Sequence, residues 1–347
     1  MKDKVSLHFY NAIKKGQLDR VKNYVLNEGV NPNIQFQDGS SPLHTAVAQQ
    51  ELEILKFLLS LKALPDVKDR SGQTPLMLGI GNEDIVQILL NYGANVEITD
   101  RWKRTALHLA TGKGLYRVTQ LLLDANASVN VTDQSKRTAL HLTVANAASG
   151  KEDLYVDITT LLIQKGAHVN RGDKYGDTPL VLAVKSGVVP LVETLINYGA
   201  DVNRPGRRRT PPILLAVLDG RSAMVEILVK HNCIIGVCNP INNKSCLYIA
   251  MEKGYLDIAQ LLVIAGVQLH KENLPAIQSL PSLTTEAATW WRSVTLEPFS
   301  LKHLCRSHIR RTMGQGIHAK LHRVTIPDVL RNYVLLHGKG GFMSDRL

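Results

Sequence analysis

A short tetrad opening on Thr or Ser returns seven times along this 347-residue chain at a nearly constant interval. The copies are Ser41-Pro42-Leu43-His44, Thr74-Pro75-Leu76-Met77, Thr105-Ala106-Leu107-His108, Thr138-Ala139-Leu140-His141, Thr178-Pro179-Leu180-Val181, Thr210-Pro211-Pro212-Ile213 and Ser245-Cys246-Leu247-Tyr248. Successive starts differ by 33, 31, 33, 40, 32 and 35 residues. A period of this length narrows the fold more than any other property of the chain. Each copy is one supersecondary unit, too small to bury its own apolar face, so neighbours must stack into a continuous core.

Each tetrad reads as the start of a helix. The Thr or Ser hydroxyl can accept a first-turn N–H as N-cap, and proline is tolerated next because its missing N–H would have no partner there. The short helix ends at a glycine suited to a left-handed C-cap: Gly112 or Gly114, Gly187, Gly220 and Gly254. A second apolar helix follows, as in Ile54-Leu55-Lys56-Phe57-Leu58-Leu59 and Ile258-Ala259-Gln260-Leu261-Leu262, and closes on Gly93-Ala94, Asn126-Ala127, Gly166-Ala167 or Gly199-Ala200. Turns such as Asp69-Arg70-Ser71-Gly72 and Asp173-Lys174-Tyr175-Gly176 lead into the next copy. Residues 10–21 read as a Lys-rich helix pair without the tetrad, suited to capping the stack. The step of 40 predicts an insertion at residues 148–153, lengthening the loop between the two helices of the fifth unit.

From about residue 5 to residue 270 this pattern resembles the ankyrin repeat. The resemblance implies an all-α, ankyrin-repeat solenoid of about eight helix-turn-helix repeats with short β-hairpin turns. It also implies a protein-binding array, and a structural hydrogen-bonding role between neighbouring repeats for His44, His108 and His141.

Composition bounds the remaining choices. No run of about 18 apolar residues is present to span a membrane, and residues 1–9 lack the apolar core of a signal peptide. Four scattered cysteines fit a reducing compartment, cytoplasm or nucleus. The net charge of +11 invites a nucleic-acid reading. Its distribution opposes one, because the basic clusters at 204–209 and 298–347 lack the interleaved aromatics of a single-strand binder. His231, Cys233, Cys238 and Cys246 match no common zinc spacing, so no metal is expected. Without a phosphate-binding glycine loop, a nucleophile–base pair or a paired-carboxylate site, neither catalysis nor a cofactor is expected.

Beyond residue 270 the repeat stops, and residues 271–297 read as a linker with some packed structure. In residues 298–311 a new stripe appears: Leu301, Cys305 and Ile309 are spaced four apart on one helical face, widened by Leu304 and His308. A second helix starts near Pro327 and carries Val329, Leu330, Tyr333 and Val334. Two helices this short cannot build a core alone. They either cap the solenoid or complete a core on another protein.

The first stripe, over 299–311, resembles the elongin-binding box of a SOCS box, and residues 324–336 resemble its cullin box. The chain is thereby similar to the ankyrin-repeat and SOCS-box proteins, with a small helical SOCS box over about 298–336 and a flexible tail at 337–347. The resemblance assigns Leu301, Leu304, Cys305 and Ile309 to elongin C, which carries elongin B, and Ile326, Pro327, Leu330 and Tyr333 to cullin-5 with its RING partner. Val324 and Thr325 depart from the family's Leu-Pro start. It implies a substrate-recognition adaptor of a ubiquitin ligase; the competing reading is an ankyrin scaffold whose last helices only cap the array. In the adaptor reading the target contacts lie on exposed turns, at Arg101, Trp102, Lys174, Tyr175, Arg207, Arg208 and Arg209, and suit an acidic or phosphorylated segment of a protein substrate.

Overall fold

The computed structural model describes residues 2–147, 151–267, 277–280 and 284–296. It divides into two units, Met1–His168 and Val169–Leu347.

Five helix pairs make up the first unit: α1 (Lys2–Lys14) and α2 (Leu18–Leu26), α3 (Pro42–Ala48) and α4 (Leu52–Ser60), α5 (Pro75–Gly79) and α6 (Glu83–Asn91), α7 (Ala106–Gly112) and α8 (Tyr116–Asp124), α9 (Ala139–Ala145) and α10 (Glu152–Gln164). The first helices of successive pairs pack in series, α1 on α3, α3 on α5, α5 on α7 and α7 on α9. The second helices do likewise, with α2 against α4, α6 against α8 and α8 against α10. Leu55, Leu58, Val86, Leu89, Leu122, Ile158 and Leu162 are fully buried along this second layer. The second unit holds three further pairs: α11 (Pro179–Ser186) and α12 (Val189–Asn197), α13 (Pro212–Leu218) and α14 (Ser222–Lys230), α15 (Cys246–Glu252) and α16 (Leu256–Ile264). A helix also spans Thr285–Leu296, with Trp291 fully buried.

The tetrads act as their chemistry requires. Ser41, Thr74, Thr105, Thr178 and Ser245 are N-caps whose hydroxyls accept from the N–H three residues on. His44, His108 and His141 add the reciprocal half of a capping box. Ser41 N–H donates to His44 Nδ1 at 3.1 Å, while His44 Nε2 lies 3.0 Å from the carbonyl oxygen of Gln73 in the next turn. A carbonyl only accepts, so the imidazole is neutral and protonated at Nε2. His108 repeats the arrangement, with its Nε2 3.2 Å from Arg137 O. Each of these two histidines therefore caps its own helix and ties it to the following repeat.

Four local expectations are refined. The sixth copy begins one residue later than its Thr suggests: α13 opens at Pro212 with Pro211 as N-cap. Measured between N-caps, the steps of 32 and 35 become 33 and 34. Gly114, at φ +71°, is the left-handed residue after α7, whereas Gly112 is helical. The predicted loop insertion is partly helix, because α10 has 13 residues where α8 has 9. The β-hairpin turns do not pair into strands among the described residues, where the isolated bridge Cys238–Ser245 is the sole β contact. Each tip is too short to offer more than one bond to its neighbour.

Candidate functional site

Four of the turns that enter helix pairs share one design. An Asp opens the turn, and its carboxylate accepts the N–H groups two and four residues on. Asp69 Oδ1 receives Ser71 and Gln73, both at 2.8 Å. Asp100 Oδ1 receives Trp102 at 2.9 Å and Arg104 at 2.8 Å, and Asp133 receives Ser135 and Arg137 in the same way. In the second unit Asp173 Oδ1 receives Tyr175 at 2.8 Å and Asp177 at 3.0 Å. The fourth residue of each turn must be left-handed: Gly72, Lys103, Lys136 and Gly176 occupy it at φ +75°, +59°, +59° and +86°. Within the first unit neighbouring tips join, Arg101 N–H to Ser71 O at 3.3 Å and Gln134 N–H to Trp102 O at 2.9 Å. The tips therefore stand as braced projections with fixed side-chain origins.

What happens to the cations differs between the two units. In the first, Arg104 binds Asp100 Oδ2 through Nε and Nη2, each at 2.8 Å, and its guanidinium lies 4.7 Å from the centre of the Trp102 ring. Arg137 grips Asp133 Oδ2 the same way. Burial works against the Asp133 carboxylate, but the N–H and guanidinium of Arg137 outweigh it and hold its pKa below the ordinary value. These two arginines are structural. Arg101 and Trp102 remain exposed at the tip, Trp102 by half of its surface.

In the second unit the position held by Arg104 and Arg137 carries Asp177 instead. Its Oδ2 takes Lys185 at 2.5 Å, and its Oδ1 reaches into the next turn to accept Arg207 N–H at 2.7 Å. That next turn opens on Gly206, not on Asp. Its backbone closes normally, Gly206 N–H to Thr210 O at 3.0 Å and Arg209 N–H to Gly206 O at 3.1 Å. With no carboxylate of its own it depends on Asp177. A Cβ on Gly206 would collide with Asp177 Oδ1 and Val181 Cγ1, so only glycine admits this reach.

Two consequences follow for Arg207, Arg208 and Arg209. All three are exposed, and none forms an ion pair with a described residue. Arg208 and Arg209 are both left-handed, at φ +57° and +58°, a conformation that costs an L-residue about 1–2 kcal/mol. Beside them Tyr175, half exposed, has Lys174 Nζ and the Arg207 guanidinium each 4.8 Å from its ring centre. Lys174, Tyr175 and Arg207 thus form one cluster with Arg208 and Arg209 adjacent. Asp177 was not singled out in the sequence; the absence of a turn Asp at Gly206 was the legible clue to it.

Leu301, Leu304, Cys305, Ile309, Ile326, Pro327, Leu330 and Tyr333 lie outside the described residues. Of the cysteines expected not to bind metal, Cys233 and Cys246 are buried and Cys238 is exposed. Among the described residues no three His, Cys, Asp or Glu side chains converge as metal ligands, and no helix is long and apolar enough to cross a membrane.

A family profile for ankyrin repeats matches in three copies, over residues 9–100, 81–154 and 107–206, together more than half of the chain. A SOCS box profile matches residues 297–335. The chain belongs to the ankyrin-repeat and SOCS-box proteins. The array of this ankyrin-repeat and SOCS-box protein is similar to the crystal structure of the ankyrin repeat domain of Bcl-3, described as a unique member of the IkappaB protein family. The TM-score is 0.56 at 27% identity, covering 64% of this chain and 99% of that one. The 26S proteasome non-ATPase regulatory subunit 10 of Dictyostelium discoideum is 33% identical over 86 residues, 24% of this chain and 37% of that protein. The transient receptor potential cation channel subfamily A member 1 of Homo sapiens is 30% identical over 106 residues, 30% of this chain and 9% of that protein. The chain spans less than half the length of each of these curated relatives.

Proposed function

We propose that this protein is a non-catalytic, substrate-recognition adaptor of an elongin B/C–cullin–RING ubiquitin ligase, working inside the cell. Residues 5–270 hold a target protein, and residues 298–336 dock the ligase. In this reading Leu301, Leu304, Cys305 and Ile309 seat in elongin C, and Ile326, Pro327, Leu330 and Tyr333 meet cullin-5. The observation that carries it is the SOCS box match at residues 297–335 behind an ankyrin array. The two short helices that the sequence predicts there would need a second surface to complete their core, and the family supplies one in elongin C. Ubiquitin transfer then occurs on other subunits.

Co-expression with elongin B and elongin C tests the proposal. The full chain should co-purify with both, and the variant carrying Leu301→Pro and Cys305→Phe should not. Hydrogen exchange across residues 300–312 should slow when elongin B/C is added. A chain that never retains elongin B/C, or whose residues 300–312 are already fully protected alone, is a scaffold with a helical cap.

A further inference from the structure

We infer that the turn at Gly206–Thr210, with Lys174 and Tyr175 beside it, is where this adaptor grips its target, and that it grips a carboxylate-rich peptide segment. The inference rests on the adaptor reading and narrows the target surface to one place in the second unit.

Charge density sets this turn apart: it carries three consecutive exposed arginines, where the first-unit turns carry Arg70, Arg101 with Lys103, and Lys136. In the first unit, Arg104 and Arg137 are neutralised by Asp100 and Asp133 of their own turns. Here the turn Asp is replaced by Gly206, and the neighbouring Asp177 spends its oxygens on Lys185 and on a backbone N–H. Lys174, Arg204, Arg207, Arg208 and Arg209 are left exposed, with no ion pair to a described residue. Five like charges gathered this way repel one another and gain most from an anionic partner.

Geometry adds a second argument. The tip is held by three backbone bonds and by Asp177, and it keeps Arg208 and Arg209 left-handed in succession. Backbone strain of this kind persists only where the surroundings enforce it, and it gathers at sites that bind. Tyr175 orders the side chains of Lys174 and Arg207 over its ring, which lowers the entropy lost when they are captured.

The same observations select the class of partner. The cations are spread over two neighbouring turns, which suits successive carboxylates along an extended peptide better than one compact phosphate. Guanidinium groups pair with carboxylates in bidentate fashion. Nucleic acid is disfavoured because Tyr175 is the single aromatic among residues 173–177 and 206–210, without the run of stacking platforms that a single strand needs.

The test uses the full chain purified with elongin B/C and a degenerate peptide library containing Asp, Glu, phosphoserine and neutral residues. Sequencing the bound pool should show enrichment of Asp and Glu. A peptide made from that consensus should bind about tenfold or more weakly to the Arg207→Glu/Arg208→Glu/Arg209→Glu variant, and more weakly also to the milder Arg207→Gln/Arg208→Gln/Arg209→Gln variant. Both variants should still carry elongin B/C and keep wild-type circular dichroism. The inference is overturned by a pool without acidic enrichment, by selection of phosphoserine alone, by enrichment that the triple variants retain, or by tighter binding of a single-stranded DNA homopolymer. Failure of the wild-type chain to hold elongin B/C would instead strike the adaptor reading, whatever the peptides do.

Discussion

At the scale of single residues, the tetrad histidines tie the repeats together and give the fold an acid limit. Burial is the main reason that the pKa values of His44 and His108 fall below the ordinary 6.5, with the backbone carbonyls of Gln73 and Arg137 partly opposing it. Protonation would also place a proton on Nδ1, where Ser41 and Thr105 N–H groups already donate. A depressed pKa means that the unfolded chain binds more protons in the window below 6.5. Stability is therefore full above that value and is lost as pH falls through the folded values. Urea unfolding between pH 7.5 and 5 should show this decline, and His44→Gln with His108→Gln should flatten it while lowering stability at pH 7.5. Thr105→Ala removes the hydroxyl N-cap of α7 and should cost about 1 kcal/mol with little pH dependence. The hydroxyl cap was readable from the tetrad, and the family resemblance implied that its histidine links neighbouring repeats. The histidine's share in the capping box and its partners, Gln73 O for His44 and Arg137 O for His108, were not readable, because they depend on side-chain rotamers and on how one repeat sits on the next.

At the scale of the turn, one backbone conformation is met by different residues with opposite consequences. Gly72 is left-handed at φ +75°, and a Cβ there would stand 3.0 Å from Arg101 N. Gly72→Ala should therefore destabilise by about 1–2 kcal/mol. Lys103 holds the corresponding place in the next turn at φ +59°. Lys103→Gly removes that strain at the expense of chain entropy, and should leave stability unchanged or raise it by up to about 1 kcal/mol. Thermal unfolding of the pair reads the opposite signs directly. Gly206→Ala tests the tip, since the added methyl must push Asp177 away from Arg207 N–H. Acidic-peptide affinity should fall in this variant even though every arginine remains. The arginine triplet was plain in the sequence, as were Trp102 and Tyr175. That Arg104 is consumed by Asp100 while Arg207 has no such partner follows from which turns carry Asp at their first position, an alignment that the shifted sixth copy conceals.

At the scale of the whole molecule, a chain of stacked pairs has a core made of neighbour contacts only. Damage should then spread to adjacent repeats before it reaches distant ones. Leu122 in α8 is fully buried, and Leu122→Ala should cost about 3 kcal/mol. Hydrogen exchange should quicken most in α6, α8 and α10, with α14 and α16 in the second unit little changed. Uniform acceleration across both units would show instead that they unfold as one body. Experiments that remove the SOCS box should keep the chain to residue 297, because Trp291 is fully buried within the Thr285–Leu296 helix.

The sequence by itself determined the repeat, its period, its helix starts and the presence of a SOCS box behind the array. These are recorded locally, in hydroxyl caps, glycines at left-handed positions and apolar stripes, each needing only a few neighbouring residues to act. Only the tertiary structure decided which charged side chains are spent and which remain available. Asp177 and Gly206 are far apart along the chain yet meet across two turns, and whether a surface arginine stands free depends on whether such a carboxylate has already been claimed by the fold.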